Sequence, residues 1–357
     1  MGEEIVQEIS KIREEIDKID EQILNLIKRR AELAREIAKI KIRRGIPIVD
    51  RDREDIVRRR WIEKSSQLDL PKEVIEPIVD SLINYAIMMQ VSKAVEEKWK
   101  DRIRVVIIGA GGMGRTMYTL FSTFGIESSI YSARRLAQED IEIPRSDIVI
   151  FATRPEYFNS ENFSKILDKV DRDTIIMDVL SVKVPTFYKI DNECKIRNLQ
   201  YISIHPLFGP TMFVLGENMI IIKGSTCKDD TYLKIRELFS DMGLHVITLQ
   251  SPEEHDRYMS IVQVLHHFHQ LSLMKSLEKY SKIFNIDIRK ICTKSLRMTL
   301  KVLDRLREVI RAVVEIQVYN IYSRDVRRLV IDNMLKLSEC IEKSDNVDEA
   351  VKCIEDC

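Results

Sequence analysis

Gly109-Ala110-Gly111-Gly112-Met113-Gly114 puts four glycines into six residues. The loop follows residues 102–108, which read as a buried parallel strand, and precedes a helical pattern beginning at Arg115. In that setting Gly109 permits the tight turn, Gly111 lets the backbone approach a pyrophosphate, and Gly114 allows helix and strand to pack closely. Gly112 and Met113 complete a loop suited to a dinucleotide. A second strand, residues 128–131, ends in Ser132-Ala133-Arg134-Arg135, where NAD binders usually place a carboxylate for the ribose hydroxyl. Ser132, Arg134 and Arg135 suit the extra phosphate of NADP instead, so NADP is favoured and NAD remains possible. Two further strands, 148–151 and 174–177, lead to Thr153 and Ser181 at the sheet edge where ligands gather.

Other residues could do chemistry elsewhere in the chain. His205 ends a strand that runs into Pro206-Leu207-Phe208-Gly209-Pro210. A lone histidine there is more often structural, although its ordinary pKa also suits a base near neutrality. His266, His267 and His269 diverge around a helix with no cysteine or acidic cluster to complete them, so no metal site is expected. Arg30 and Lys41 lie eleven residues apart, close to three turns, and project from one helix face about 16 Å apart. Arg13 precedes Arg30 by seventeen residues, roughly 25 Å along the axis and about 100° around it, so it cannot serve the same pocket in one straight helix. It could reach the pocket of a second copy. On spacing alone, ordinary solvated charges remain the commoner explanation for these three.

These residues need elements to hold them. Residues 3–44 contain no Gly or Pro, and isoleucines and leucines recur from Ile5 to Ile40 at helical steps. About forty residues make a rod of roughly 60 Å, more than a hundred-residue unit can cover, so another chain is expected to cover the rest. Gly45-Ile46-Pro47 stops this helix, Asp50 caps a second, and a third spans residues 72–98. The glycine loop normally opens its own domain, so these helices form a separate unit. After Ser251-Pro252 the chain reads as helical to its end. The division expected is 1–98 helical, 99–250 Rossmann-type, and 251–357 helical: a multidomain α and α/β protein.

Composition narrows the function classes. Lys+Arg and Asp+Glu both total 57, leaving no net field to favour nucleic acid or an anionic membrane. Small-molecule partners are expected. No apolar run is read as long enough to cross a bilayer, and Met1-Gly2-Glu3-Glu4 does not resemble a signal peptide, so a cytoplasmic location is expected. The six cysteines lack metal-ligand spacing and are expected to be reduced, with Cys353 and Cys357 in a helical tail.

The order of residues adds two resemblances. Residues 12–20, Arg29-Arg30-Ala31-Glu32-Leu33-Ala34, Lys41 and residues 47–54 make the segment 5–93 similar to the all-helical chorismate mutases. That resemblance implies that Arg30, and Arg13 of a second subunit, hold the carboxylates of chorismate. Lys41 and Gln90 would then bond the ether oxygen, Glu54 the ring hydroxyl, and Asp50 and Arg53 would complete the wall. A serine often found four residues before the glutamine is Ala86 here. Such a pericyclic rearrangement needs no nucleophile, only a compact substrate and positive charge at the breaking C–O bond.

Asp178-Val179-Leu180-Ser181-Val182-Lys183, the His205–Pro210 block, Glu254-His255-Asp256 and Val264-Leu265-His266-His267-Phe268 make residues 103–340 resemble the prephenate dehydrogenases. This implies His205 as the base that takes the ring-hydroxyl proton of prephenate, positioned with Ser181. It further implies His267 beside the substrate, Arg305 on its carboxylate, and a homodimer through the helical domains. The combined expectation is an enzyme that makes prephenate from chorismate and oxidatively decarboxylates it to 4-hydroxyphenylpyruvate, towards tyrosine. Three alternatives stay open. The oxidoreductase could prefer arogenate, the first unit could be a non-catalytic regulatory or dimerising module, or the chain could be another β-hydroxyacid-type dehydrogenase with an unrelated helical arm.

Overall fold

The computed structural model describes residues 2–138, 142–209 and 214–356. Three helices come first: α1 (Gly2–Arg43), α2 (Arg51–Gln67) and α3 (Lys72–Trp99). Asp50 caps α2, its Oδ1 accepting the Arg53 backbone N–H at 3.0 Å. Helix α1 buries only its alanine face, Ala31, Ala34 and Ala38, against α3. Ile5, Ile9, Ile12, Ile16, Ile19 and Ile23 remain 44–55% exposed on the other stretch.

Contrary to the sequence expectation, α3 is long and apolar enough by length and composition to cross a membrane. Its inward face is nevertheless occupied by protein. Val91, Val95 and Trp99 belong to the same apolar cluster as the first strand of the following domain. Trp99 Nε1 donates to Asp241 Oδ2 at 2.8 Å, and the Ser92 hydroxyl donates to the Thr123 carbonyl at 2.6 Å. The helical unit is thereby continuous with the domain that follows.

That domain runs β1 (Arg104–Ile108), α4 (Gly112–Thr123), β2 (Glu127–Tyr131), α5 (Ala133–Gln138), β3 (Ile148–Phe151), α6 (Glu161–Leu167), β4 (Ile175–Asp178), α7 (Phe187–Ile196), β5 (Gln200–Pro206), β6 (Asn218–Lys223), α8 (Asp229–Asp241) and β7 (His245–Leu249). The seven strands are ordered β2-β1-β3-β4-β5-β6-β7. All pairs are parallel except β5 with β6. Strands β1, β3 and β4 are buried on both faces, one by α3, α4 and α8, the other by α6 and α7, which explains their unbroken Val/Ile runs. Strands β6 and β7 were not anticipated. Helix α4 starts at Gly112, one turn earlier than the sequence pattern suggested.

The last part is helical: α9 (Pro252–Met259), a π-helical turn (Ser260–Leu265), α10 (His266–Ile283), α11 (Lys294–Glu308), α12 (Ile310–Tyr319), α13 (Ser323–Lys343) and α14 (Val347–Asp356). The expectation that all cysteines are reduced is corrected here. Helices α13 and α14 form a hairpin that brings the Cα atoms of Cys340 and Cys353 to 5.6 Å, and the two are joined as a disulfide. Sequence spacing alone does not reveal a pair made by a turn between helices. Cys194, Cys227 and Cys292 are free thiols, and Cys357 lies outside the described residues.

Candidate functional sites

The first site lies between α1, α2 and α3. Arg30, Arg53, Glu54 and Gln90 line one pocket, with Ala34 and Ile83 among its apolar walls. Burial lowers the pKa of Arg30, and its guanidinium donates to the Leu82 carbonyl of α3. Glu54 Oε1 and Gln90 Oε1 are buried with no hydrogen-bond partner among the described residues. Such acceptors are costly to leave unpaired inside protein, so a pocket holding two of them is built for a ligand that donates.

Other expected members stand elsewhere. Lys41 does not share this pocket in the single chain. Its Nζ donates to the Ile48 carbonyl at 2.8 Å, because the chain doubles back after α1 and presents that acceptor first. The Asp50 side chain is used as the α2 cap and does not line the pocket. Arg13 is exposed on the uncovered half of α1, remote from Arg30. Ala86, which stands where the resembled family often has a serine, lines the pocket.

The second site is a cleft at the carboxyl ends of β1, β2 and β3. Gly109, Gly111, Gly112, Met113, Ser132, Arg134 and Thr153 all line it. Gly109 has φ +122° and a β-carbon there would meet the Ala152 carbonyl oxygen at 2.2 Å; one at Gly114 would meet the Gly109 oxygen at 1.7 Å. These two glycines are demanded by protein packing. Gly111 and Gly112 face open space instead, leaving room for a ligand at the start of α4, where backbone N–H groups are unsatisfied. Gly114 and Arg135 do not line the cleft. Arg154, Tyr157 and Arg311 line it without having been anticipated, the last from the C-terminal helices. The Thr153 and Tyr157 hydroxyls are buried without partners among the described residues, and burial pushes the Tyr157 pKa up to about 12. Both are neutral donors facing a cleft shaped for a nucleotide.

The third site surrounds His205, at the end of β5. The imidazole is 2% exposed, and burial, with His255 and Lys183 nearby, holds its pKa well below the usual value. His205 Nδ1 lies 2.9 Å from His255 Nε2, and His255 Nδ1 lies 2.8 Å from Asp256 Oδ1. Asp256 in turn accepts the backbone N–H groups of Lys183 at 2.9 Å and Val184 at 3.1 Å. Beneath them Lys183 Nζ donates to Asp178 Oδ1 at 2.7 Å and to the Ile204 carbonyl at 2.8 Å, while Tyr201 donates to Asp178 Oδ2 at 2.6 Å. This buried network fixes the β4 and β5 ends relative to α9.

The sequence motifs containing Lys183 and His255-Asp256 were visible, but no role could be read from them. Ser181 stands on the turn just beyond β4, at the same end of the sheet as His205. Arg305, on α11, is brought against the loop after His205: its Nη2 lies 2.5 Å from where a β-carbon on Gly209 would be. Pro210 of that loop lies outside the described residues. His267 follows the π-helical turn on α10. Its Nδ1 is buried without a partner among the described residues, and burial lowers its pKa. Such turns recur at functional sites because the extra residue re-aims side chains. Among the described residues no cluster of His, Cys, Asp and Glu is arranged to hold a metal ion.

Comparison with known proteins follows the same division. The family described as chorismate mutase type II matches residues 12–91, and that described as prephenate dehydrogenase, dimerization domain, matches residues 251–355. A chorismate mutase of Methanocaldococcus jannaschii is 33% identical over 98 residues, 28% of this chain and 99% of that protein. A T-protein of Enterobacter agglomerans is 25% identical over 268 residues, 74% of this chain and 69% of the relative. The crystal structure of prephenate dehydrogenase from A. aeolicus with hydroxyphenyl propionate and NAD+ is similar in fold. Its TM-score is 0.56 at 18% identity, covering 71% of this chain and 96% of that one.

Proposed function

The chain belongs to the bifunctional chorismate mutase/prephenate dehydrogenase family, and we propose how its three sites divide the two reactions. It converts chorismate to prephenate, then oxidatively decarboxylates prephenate to 4-hydroxyphenylpyruvate in tyrosine biosynthesis.

In the mutase pocket Arg30 and Arg53 hold the substrate's carboxylates and favour its compact conformer. The Gln90 amide donates from Nε2 to the ether oxygen, and Glu54 accepts from the ring hydroxyl, which satisfies its buried oxygen. Lys41 reaches the oxygen only by leaving the Ile48 carbonyl. Arg13 enters from a second copy of the chain, whose α1 covers the exposed isoleucines; the protein acts as a homodimer.

In the dehydrogenase, the glycine loop with Ser132, Arg134 and Thr153 would hold a nicotinamide dinucleotide, which would supply the hydride acceptor. Ser132 and Arg134 favour NADP, since no carboxylate ends β2 to bond a free ribose hydroxyl. Arg305 grips the substrate's carboxylate and His267 flanks the ring. His205 holds the hydroxyl proton while hydride leaves the same ring carbon. The bond to the ring carboxylate then breaks, its electron pair enters the ring, carbon dioxide departs, and the proton returns to the phenolic oxygen. The observation that carries this assignment is the juxtaposition of Arg305 with the loop that holds the buried His205.

Reduction of NADP and of NAD, each assayed with chorismate as sole substrate, tests both halves together. The expected result is turnover with both and a lower KM for NADP. Inactivity on chorismate with activity on added prephenate would sink the mutase assignment. Activity on arogenate but not on prephenate would overturn the substrate.

A further inference from the structure

We infer that His255, held by Asp256, is a positioning residue that fixes the tautomer of His205 and so determines which of its nitrogens meets substrate. The inference rests on the assignment of His205 as the base. It follows from counting protons along the buried chain of contacts.

Asp256 already accepts two backbone N–H groups, one on each carboxylate oxygen, at 2.9 and 3.1 Å. An ionised carboxylate is acceptor-only and both oxygens are already turned to donors, so the group accepts from its third partner as well. The atom 2.8 Å away, His255 Nδ1, therefore carries its hydrogen. Burial with 0% exposure keeps the His255 ring neutral, and a neutral imidazole has only one N–H. Its Nε2 must be a lone pair. The contact of 2.9 Å between His255 Nε2 and His205 Nδ1 then requires the hydrogen to sit on His205 Nδ1.

That leaves His205 Nε2 as the bare lone pair, the form a base needs towards a hydroxyl. An isolated histidine has no such constraint. The arrangement extends the logic by which a buried carboxylate orients a catalytic imidazole, with a second imidazole placed between them. Once His205 has taken the hydroxyl proton, its Nδ1–H still has His255 as acceptor, so the imidazolium forms without reorganisation of the network. No proton needs to travel on to Asp256. The charges facing this pair are Lys183 and Asp178, themselves ion-paired at 2.7 Å, with Tyr201 bonded to the same carboxylate. Those groups remain in place when the His205 side chain changes protonation.

The chain contains six histidines, so a protein labelled with 15N and 13C in histidine alone gives few ring signals, and His205→Asn identifies the one of interest. The wild-type protein at pH 8 is expected to show His205 protonated at Nδ1, with Nε2 in the acceptor range. His255→Leu removes the acceptor: the His205 signal is expected to move to the Nε2–H form, and the dehydrogenase kcat to fall about 100-fold. KM for prephenate and mutase turnover are expected to stay within about threefold, because Arg305 and the helical unit are untouched. His255→Gln, whose amide oxygen can accept from Nδ1–H, is expected to recover at least tenfold of that loss. A wild-type His205 found in the Nε2–H form would overturn the inference whatever the variants do, as would an unchanged His205 signal in His255→Leu. Full dehydrogenase activity in His205→Asn would instead remove the base assignment, an outcome separate from the tautomer measurement.

Discussion

Arg305 on α11 is packed against Gly209, with its Nη2 2.5 Å from the position a β-carbon would take. Two segments nearly a hundred residues apart are thus held at a distance that one methyl group changes. In Gly209→Ala the flexible guanidinium must withdraw. Charge-assisted bonds to a carboxylate contribute about 1.5–3 kcal/mol, and partial loss is expected to raise KM for prephenate about tenfold. Steady-state kinetics should show kcat and mutase activity little altered. An unchanged KM would remove Arg305 from the substrate site.

Buried acceptors without partners make a second, opposite pair of effects testable. Gln90→Leu replaces an unsatisfied oxygen with an apolar group of similar size, so thermal stability is expected to hold or rise. Mutase kcat/KM is expected to fall about 100-fold through loss of transition-state contact. Dehydrogenase activity on supplied prephenate should persist. A large drop in Tm would mean that Gln90 serves the fold and not the ligand.

Cofactor choice should answer to Arg134. Arg134→Ala is expected to weaken NADP binding by roughly 10- to 100-fold while NAD affinity changes little, since only the former carries the extra phosphate. Titration calorimetry of each dinucleotide against the full-length protein distinguishes them. Equal losses for both would place Arg134 on the pyrophosphate instead.

Buried histidines set a lower pH limit for the folded state. Burial lowers the pKa of His205, His255 and His267 below the ordinary value near 6.5. In the window between the folded and unfolded pKa values the unfolded chain binds more protons, so stability is complete above about pH 6.5 and is lost as pH falls. Each such histidine contributes a slope of about 1.4 kcal/mol per pH unit within that window. Urea midpoints between pH 7.5 and 5.5 should fall accordingly. His267→Phe is expected to reduce the slope, and an unchanged slope would contradict a neutral buried His267.

Some of this was written in local patterns. The isoleucine period foretold α1, Asp50 foretold the α2 cap, and the glycine spacing with its flanking strand foretold the cleft at β1, because each feature depends only on neighbours within a few residues. Lys41 shows the limit of such patterns. Helical spacing correctly places its Cα on the Arg30 face, but the nearest acceptor, Ile48, comes from the returning chain. Strand β6 carries an apolar run, Met219–Ile222, of the same kind as β3, but no local pattern says that it returns antiparallel beside β5 with β7 beyond it.

The sequence by itself determined the types and order of the chemical groups: the glycines, the arginines, the histidine after a strand, and an apolar α1 stripe too long for one chain. Only tertiary structure decided which of them meet. His205 and His255 are separated by fifty residues, and their 2.9 Å contact exists because the network of Lys183, Asp178 and Asp256 ties the ends of β4 and β5 to α9. Long-range proximity is set by packing and by buried hydrogen-bond satisfaction, which involve the whole chain at once and leave no mark on local spacing.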